Sequence, residues 1–140
     1  LSLIILTIIP QSRELIRSVI ISQSRIVLAK IEAEVVAGGP RLIILKVKTA
    51  DTLAIEIFSR ENENADQKLR RRIVLDENRD AYFNFRGNAT NLAFSDIDND
   101  GSLEIIAPTF DQDLVPHLNL FKYDSSRADF FKLGPDNFKL

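Results

Sequence analysis

Apolar and polar positions follow three successive rhythms along this chain. Residues 1–9, Leu-Ser-Leu-Ile-Ile-Leu-Thr-Ile-Ile, are almost wholly apolar and end at Pro10. From Gln11 to Ala37 apolar residues recur at steps of three and four, at Leu15, Ile16, Val19, Ile20, Ile26, Val27, Ile31 and Val35. That spacing places them on one face of a helix. Arg13, Arg17, Ser24, Arg25, Lys30, Glu32 and Glu34 fall mostly on the other faces. The many β-branched residues lower helix propensity. The length and the lack of Gly or Pro favour a helix all the same, with Gly38-Gly39-Pro40 as its stop.

After Gly39 the period shortens to that of strands. Residues 42–48 and 52–59 flank Thr49-Ala50-Asp51 as a hairpin, with Leu53, Ile55 and Ile57 on one face. Residues 61–68 are polar and read as a loop. Residues 70–75 and 81–86 form a second expected hairpin around 76–80. Strands near 91–95 and 103–108 form a third, 110–116 is a loop, and 118–123 with 129–133 form a last hairpin before a loose tail. The expected fold class is α+β: a long N-terminal helix over 1–39, then an antiparallel meander over 40–140. No repeat at the length of a propeller blade is visible.

Composition narrows the classes. The chain has 140 residues, enough for one domain, and 45% apolar with 27% charged residues excludes disorder. A formal charge of −2 makes no case for nucleic acid. The absence of Cys excludes disulfides, zinc–thiolate sites and thiol nucleophiles. The chain has no Met and starts at Leu1, as expected of a processed or excised piece.

The chemistry concentrates in Asp96-Ile97-Asp98-Asn99-Asp100-Gly101-Ser102-Leu103-Glu104. Carboxylates alternate there, and Gly101 permits the positive φ of a sharp reversal. Such a density of hard oxygen donors suits Ca²⁺ rather than a transition metal. An EF-hand would need a Glu three residues beyond Glu104, where Ala107 stands, and helices on both flanks. With strands on both flanks, the loop resembles the FG-GAP (integrin-propeller, VCBS-like) calcium loop. The resemblance runs from Leu92-Ala93-Phe94-Ser95-Asp96 through Ile105-Ile106-Ala107-Pro108 to 118–123. It implies Asp96, Asp98, Asp100 and Glu104 as side-chain ligands of Ca²⁺ and the carbonyl of Ser102 as a fifth. A weak site of this kind would favour a place outside the cell, where calcium is plentiful.

The layout of an apolar and then amphipathic N-terminal helix leading into a sheet resembles type IV pilins and type II secretion pseudopilins. The stretch from Leu3 to Gln11, with Ile8-Ile9-Pro10-Gln11, carries that resemblance. It implies a filament subunit that packs with copies of itself or related subunits through the helix, with membrane contact at residues 1–9. The alternative is a membrane-anchored or secreted calcium-dependent adhesion or ligand-binding module. Neither is an enzyme, and no acid/base or nucleophile constellation stands out. His117, the single histidine, is expected on the surface. Asp111 and Asp113 are expected in a solvated loop. Arg70-Arg71-Arg72 is expected to protect a strand edge. Asn88-Ala89-Thr90 fits a glycosylation sequon. Phe83, Phe85, Phe94, Phe110, Phe121, Phe130 and Phe131 are expected in the core.

Overall fold

The computed structural model describes residues 24–62 and 64–134. Among these the chain is all-β, with strands in antiparallel sheets and no helix, which corrects the expected α+β class. Strand β1 (Ile26–Glu34) occupies the second half of the stretch expected to be helical. The first half, and the apolar run at 1–9, lie outside the described residues. Lys30-Ile31-Glu32-Ala33-Glu34-Val35 alternates strictly, so it satisfies a period of two as well as the three-and-four spacing. Its β-branched residues favour the pleated form. An irregularity in pairing between Val27 and Ala29 breaks the alternation upstream, which disguised the strand.

Strand β2 (Arg41–Lys48) pairs with β1 from Ile26↔Lys48 to Glu34↔Arg41. Gly38-Gly39-Pro40 is therefore the turn of a hairpin, and the expected boundary at residue 39 falls inside one sheet. Gly38 takes φ 75° there, and the Gly39 amide donates to the Val36 carbonyl at 2.9 Å. Strands β3 (Leu53–Ser59) and β4 (Lys68–Val74) complete sheet 1 in the order β1-β2-β3-β4. The hairpin expected over 42–59 is present. The one expected over 70–86 is not, because β4 pairs back onto β3. As expected, Arg70, Arg71 and Arg72 lie on an edge strand, where Arg71 reaches Asp129 at 2.5 Å.

The chain then crosses to sheet 2. β5 (Arg79–Asp80) is followed by a separate hairpin of β6 (Phe83–Phe85) and β7 (Asn88–Thr90). Next come β8 (Ala93–Ser95), β9 (Glu104–Phe110), β10 (Pro116–Asp124) and β11 (Asp129–Lys132). The order is β11-β10-β9, with β8 and β5 in series along the other side of β9.

The two sheets enclose the main core. Leu42, Ile44, Leu53, Ile55 and Ile57 of sheet 1 meet Ile105, Ala107, Phe121 and Phe130 of sheet 2. Each such side chain contributes about 1.5–3 kcal/mol when fully buried. A second cluster on the far face of sheet 2 joins Ala93, Ile106 and Leu120 to Phe83 and Phe85. Of the expected core phenylalanines, Phe131 is instead largely exposed. Lys46 lies fully buried between the sheets. Its ammonium donates to the carbonyls of Asn91 at 2.8 Å and Pro108 at 2.6 Å, and pairs with Asp80 at 2.5 Å. Burial pushes it below the usual lysine range, and Asp80 opposes that shift.

Each sheet contains a four-stranded antiparallel meander, β1-β2-β3-β4 in sheet 1 and β8-β9-β10-β11 in sheet 2. Ile44, Ile55 and Ile57 of the first face sheet 2, whereas Ile106 and Leu120 of the second belong to the cluster on its far side.

Candidate metal centre

The connection between β8 and β9 is built around its own carboxylates. Asp96 Oδ1 accepts the Asp100 amide at 3.1 Å, and its Oδ2 accepts the Gly101 amide at 2.9 Å. Asp100 Oδ1 accepts the Ser102 amide at 2.9 Å. Asn99 and Gly101 take φ values of 56° and 88°, which turn the chain tightly enough for alternate residues to converge. One carboxylate oxygen from each of Asp96, Asp98, Asp100 and Glu104 lies within 4.8 Å of the others. All four residues singled out by spacing are therefore brought together, and the group can hold a metal ion.

Ser102, expected to contribute its carbonyl, lies on the side of the loop nearest sheet 1. It forms an isolated bridge with Val36, and the neighbouring Leu103 amide donates to the Val35 carbonyl at 2.8 Å. The acidic loop is thus tied to the corresponding turn of sheet 1. That turn, residues 35–40, carries no carboxylate.

Burial within the group is uneven. The Asp98 and Asp100 side chains are 45% and 36% exposed, while Glu104 is 0% exposed. Glu104 Oε2 accepts the Ile97 amide at 2.8 Å, but Oε1 is buried with no hydrogen-bond partner. A buried carboxylate oxygen without a donor is costly. Its place beside three further carboxylates is what a cation site requires. Burial raises the Glu104 carboxyl above its usual range, and the charges of Asp98 and Asp100 add to the rise. Asp100 is shifted the other way, chiefly by Lys122.

Lys122 on β10 was not singled out by spacing. It is the cross-strand partner of Glu104. Its ammonium contacts Asp98 and Asp100 and lies 3.8 Å from Glu104 Oε1. Those two aspartates hold the ammonium above the usual lysine range.

The other candidate residues are accounted for locally. Asp111 Oδ1 accepts the amides of Asp113 and Val115, each at 2.9 Å, and its Oδ2 meets His117 Nε2 at 2.9 Å. Asp111 and His117 thus close a surface turn. Asn88, Ala89 and Thr90 form β7.

No family model matches the chain, and no match to it was found among curated proteins or solved structures. Among the described residues, no helix is long and apolar enough to cross a membrane.

Proposed function

We propose that this chain is a non-enzymatic calcium-binding β module of FG-GAP type. In this reading it acts at the cell surface or outside the cell, as an adhesion or ligand-binding unit. The observation that carries the calcium reading is the buried Glu104 Oε1, which lacks a hydrogen-bond partner in a carboxylate grouped with three others. Asp96, Asp98, Asp100 and Glu104 would hold the ion, with the Ser102 carbonyl as a further donor. Oxygen ligands without His or Cys favour calcium over zinc or copper. The ion would offset part of the loop's negative charge and fasten the β8–β9 connection at the rim where it bridges to sheet 1. Asp98 and Asp100 are exposed, so the outer side of the ion would be open to an oxygen-bearing group on a partner. The two four-stranded antiparallel meanders agree with a blade-like architecture.

The filament-subunit reading expected a helix to Ala37; β1 occupies Ile26–Glu34 instead, and the binding-module reading needs no such helix. Calorimetric titration of the full chain with Ca²⁺ and Mg²⁺ tests it. One calcium ion per chain should bind, with an affinity of about 10⁻⁴–10⁻³ M if the site resembles extracellular modules. Asp96→Asn should lose that binding. Absence of calcium binding by the wild-type chain would overturn the proposal.

A further inference from the structure

We propose that Lys122 is a built-in competitor for the cation, so that ammonium and metal occupy the same carboxylates in turn. The inference rests on the calcium reading above and concerns how that site is regulated. Pairing of Lys122 with Glu104 fixes its backbone beside the loop. Its ammonium bridges Asp98 and Asp100, and its side chain is only 21% exposed. At 3.8 Å, Glu104 Oε1 lies beyond hydrogen-bond reach of that ammonium. The lysine therefore satisfies the two outer carboxylates directly and the buried one only through its field.

A calcium ion bonds oxygen at about 2.3–2.6 Å and could satisfy Glu104 as well. The four carboxylates offer oxygens within 4.8 Å of one another, and the ammonium contacts two of those same carboxylates, so an ion and the ammonium compete for one group. Binding must expel Lys122 from Asp98 and Asp100, and its flexible stem lets the charge swing into solvent. Two consequences follow. Without calcium, the lysine neutralises part of the loop and keeps it formed. With calcium, affinity is lowered by the free energy of breaking the lysine contacts, so the site responds only at high calcium. Removal of the Lys122 charge, by substitution or by acylation of its amine, converts a weak site into a tight one.

Calcium titrations of wild-type protein and Lys122→Met test this. Methionine keeps much of the stem and deletes the charge. Affinity should rise about tenfold or more, the equivalent of about 1.4 kcal/mol. Equal affinity in the two proteins would overturn the competition while leaving the calcium site intact. No binding in either would overturn the calcium reading, and the competition with it. Should Lys122→Met not fold, amine acetylation of the wild-type chain, followed by peptide mass spectrometry, gives an independent readout. Calcium should accelerate modification at Lys122, because the amine leaves its carboxylates. An unchanged or slower rate with saturating calcium would contradict the inference.

Discussion

Replacement of Lys46 by Met should destabilise the protein more than any single change at its surface. The lysine is fully buried, and its ammonium serves the Asn91 and Pro108 carbonyls and the Asp80 carboxylate. Methionine fills much of the stem's volume, so the substitution isolates the polar end. Breaking a buried ion pair costs about 3–5 kcal/mol. Asp80 softens the loss, because its side chain is 19% exposed and Asn91 Nδ2 still donates to it at 3.0 Å. The two carbonyls lose a donor, at about 1–3 kcal/mol for a buried group left unsatisfied. These terms overlap, and a net loss of about 3 kcal/mol is expected from the low end of the ion-pair range. With an m-value of about 2 kcal/mol per molar in urea, the unfolding midpoint should fall by about 1.5 M. Asp80→Asn in the Lys46→Met background should cost much less than in the wild type, since it removes the stranded charge. A loss below about 1 kcal/mol for Lys46→Met, or full additivity of the two substitutions, would refute the view that this lysine clamps the sheets together.

Other expectations concern turns. Asp111→Asn should weaken the turn at His117 and flatten the acid limb of the stability profile. The Asp111 carboxyl is held below the usual aspartate range, first by His117 and then by the Val115 amide. Its contribution is therefore present above the ordinary value of 3.8 and lost as pH falls through the depressed one, which acid unfolding of the two proteins would reveal. Gly39→Ala should cost about 1–3 kcal/mol by chemical denaturation, because the new Cβ would lie 2.5 Å from Val36 Cγ2. Gly101→Ala meets no atom within 4 Å but must hold φ 88°. A cost of about 1–2 kcal/mol is expected there, with weakened calcium binding; unchanged binding in a calorimetric titration would argue against loop geometry as the cause.

How much could be read from residues alone differs from element to element. β2, β3, β9 and β10 are strongly apolar and bounded by turn-forming residues, and their positions were legible. β1 was not, because Lys30 to Val35 suits both periods and the irregularity near Leu28 hides the alternation before it. The segment after β4 does not form a hairpin with its sequence neighbour, because β4 pairs with β3. Leu75 instead leads to the other sheet, where β5 is too short for periodicity to reveal. The four carboxylates could be found by spacing and Lys122 could not. Its contact with them crosses from β10 to the β8–β9 connection, and only the pairing Lys122↔Glu104 brings it there.

The central claim is that the loop from Asp96 to Glu104 is a calcium clamp on the fold. Thermal unfolding of the full chain in calcium, in chelator, and after Glu104→Gln tests it most directly. In wild-type protein the melting temperature should climb with calcium, with stability rising by about 2.7 kcal/mol at a hundredfold excess over the dissociation constant. Glu104→Gln should melt at the same temperature in calcium and in chelator. Its neutral side chain also relieves carboxylate crowding, so without calcium it should be no less stable than the wild type. A wild-type melting temperature indifferent to calcium, or a response that survives Glu104→Gln, would contradict the account.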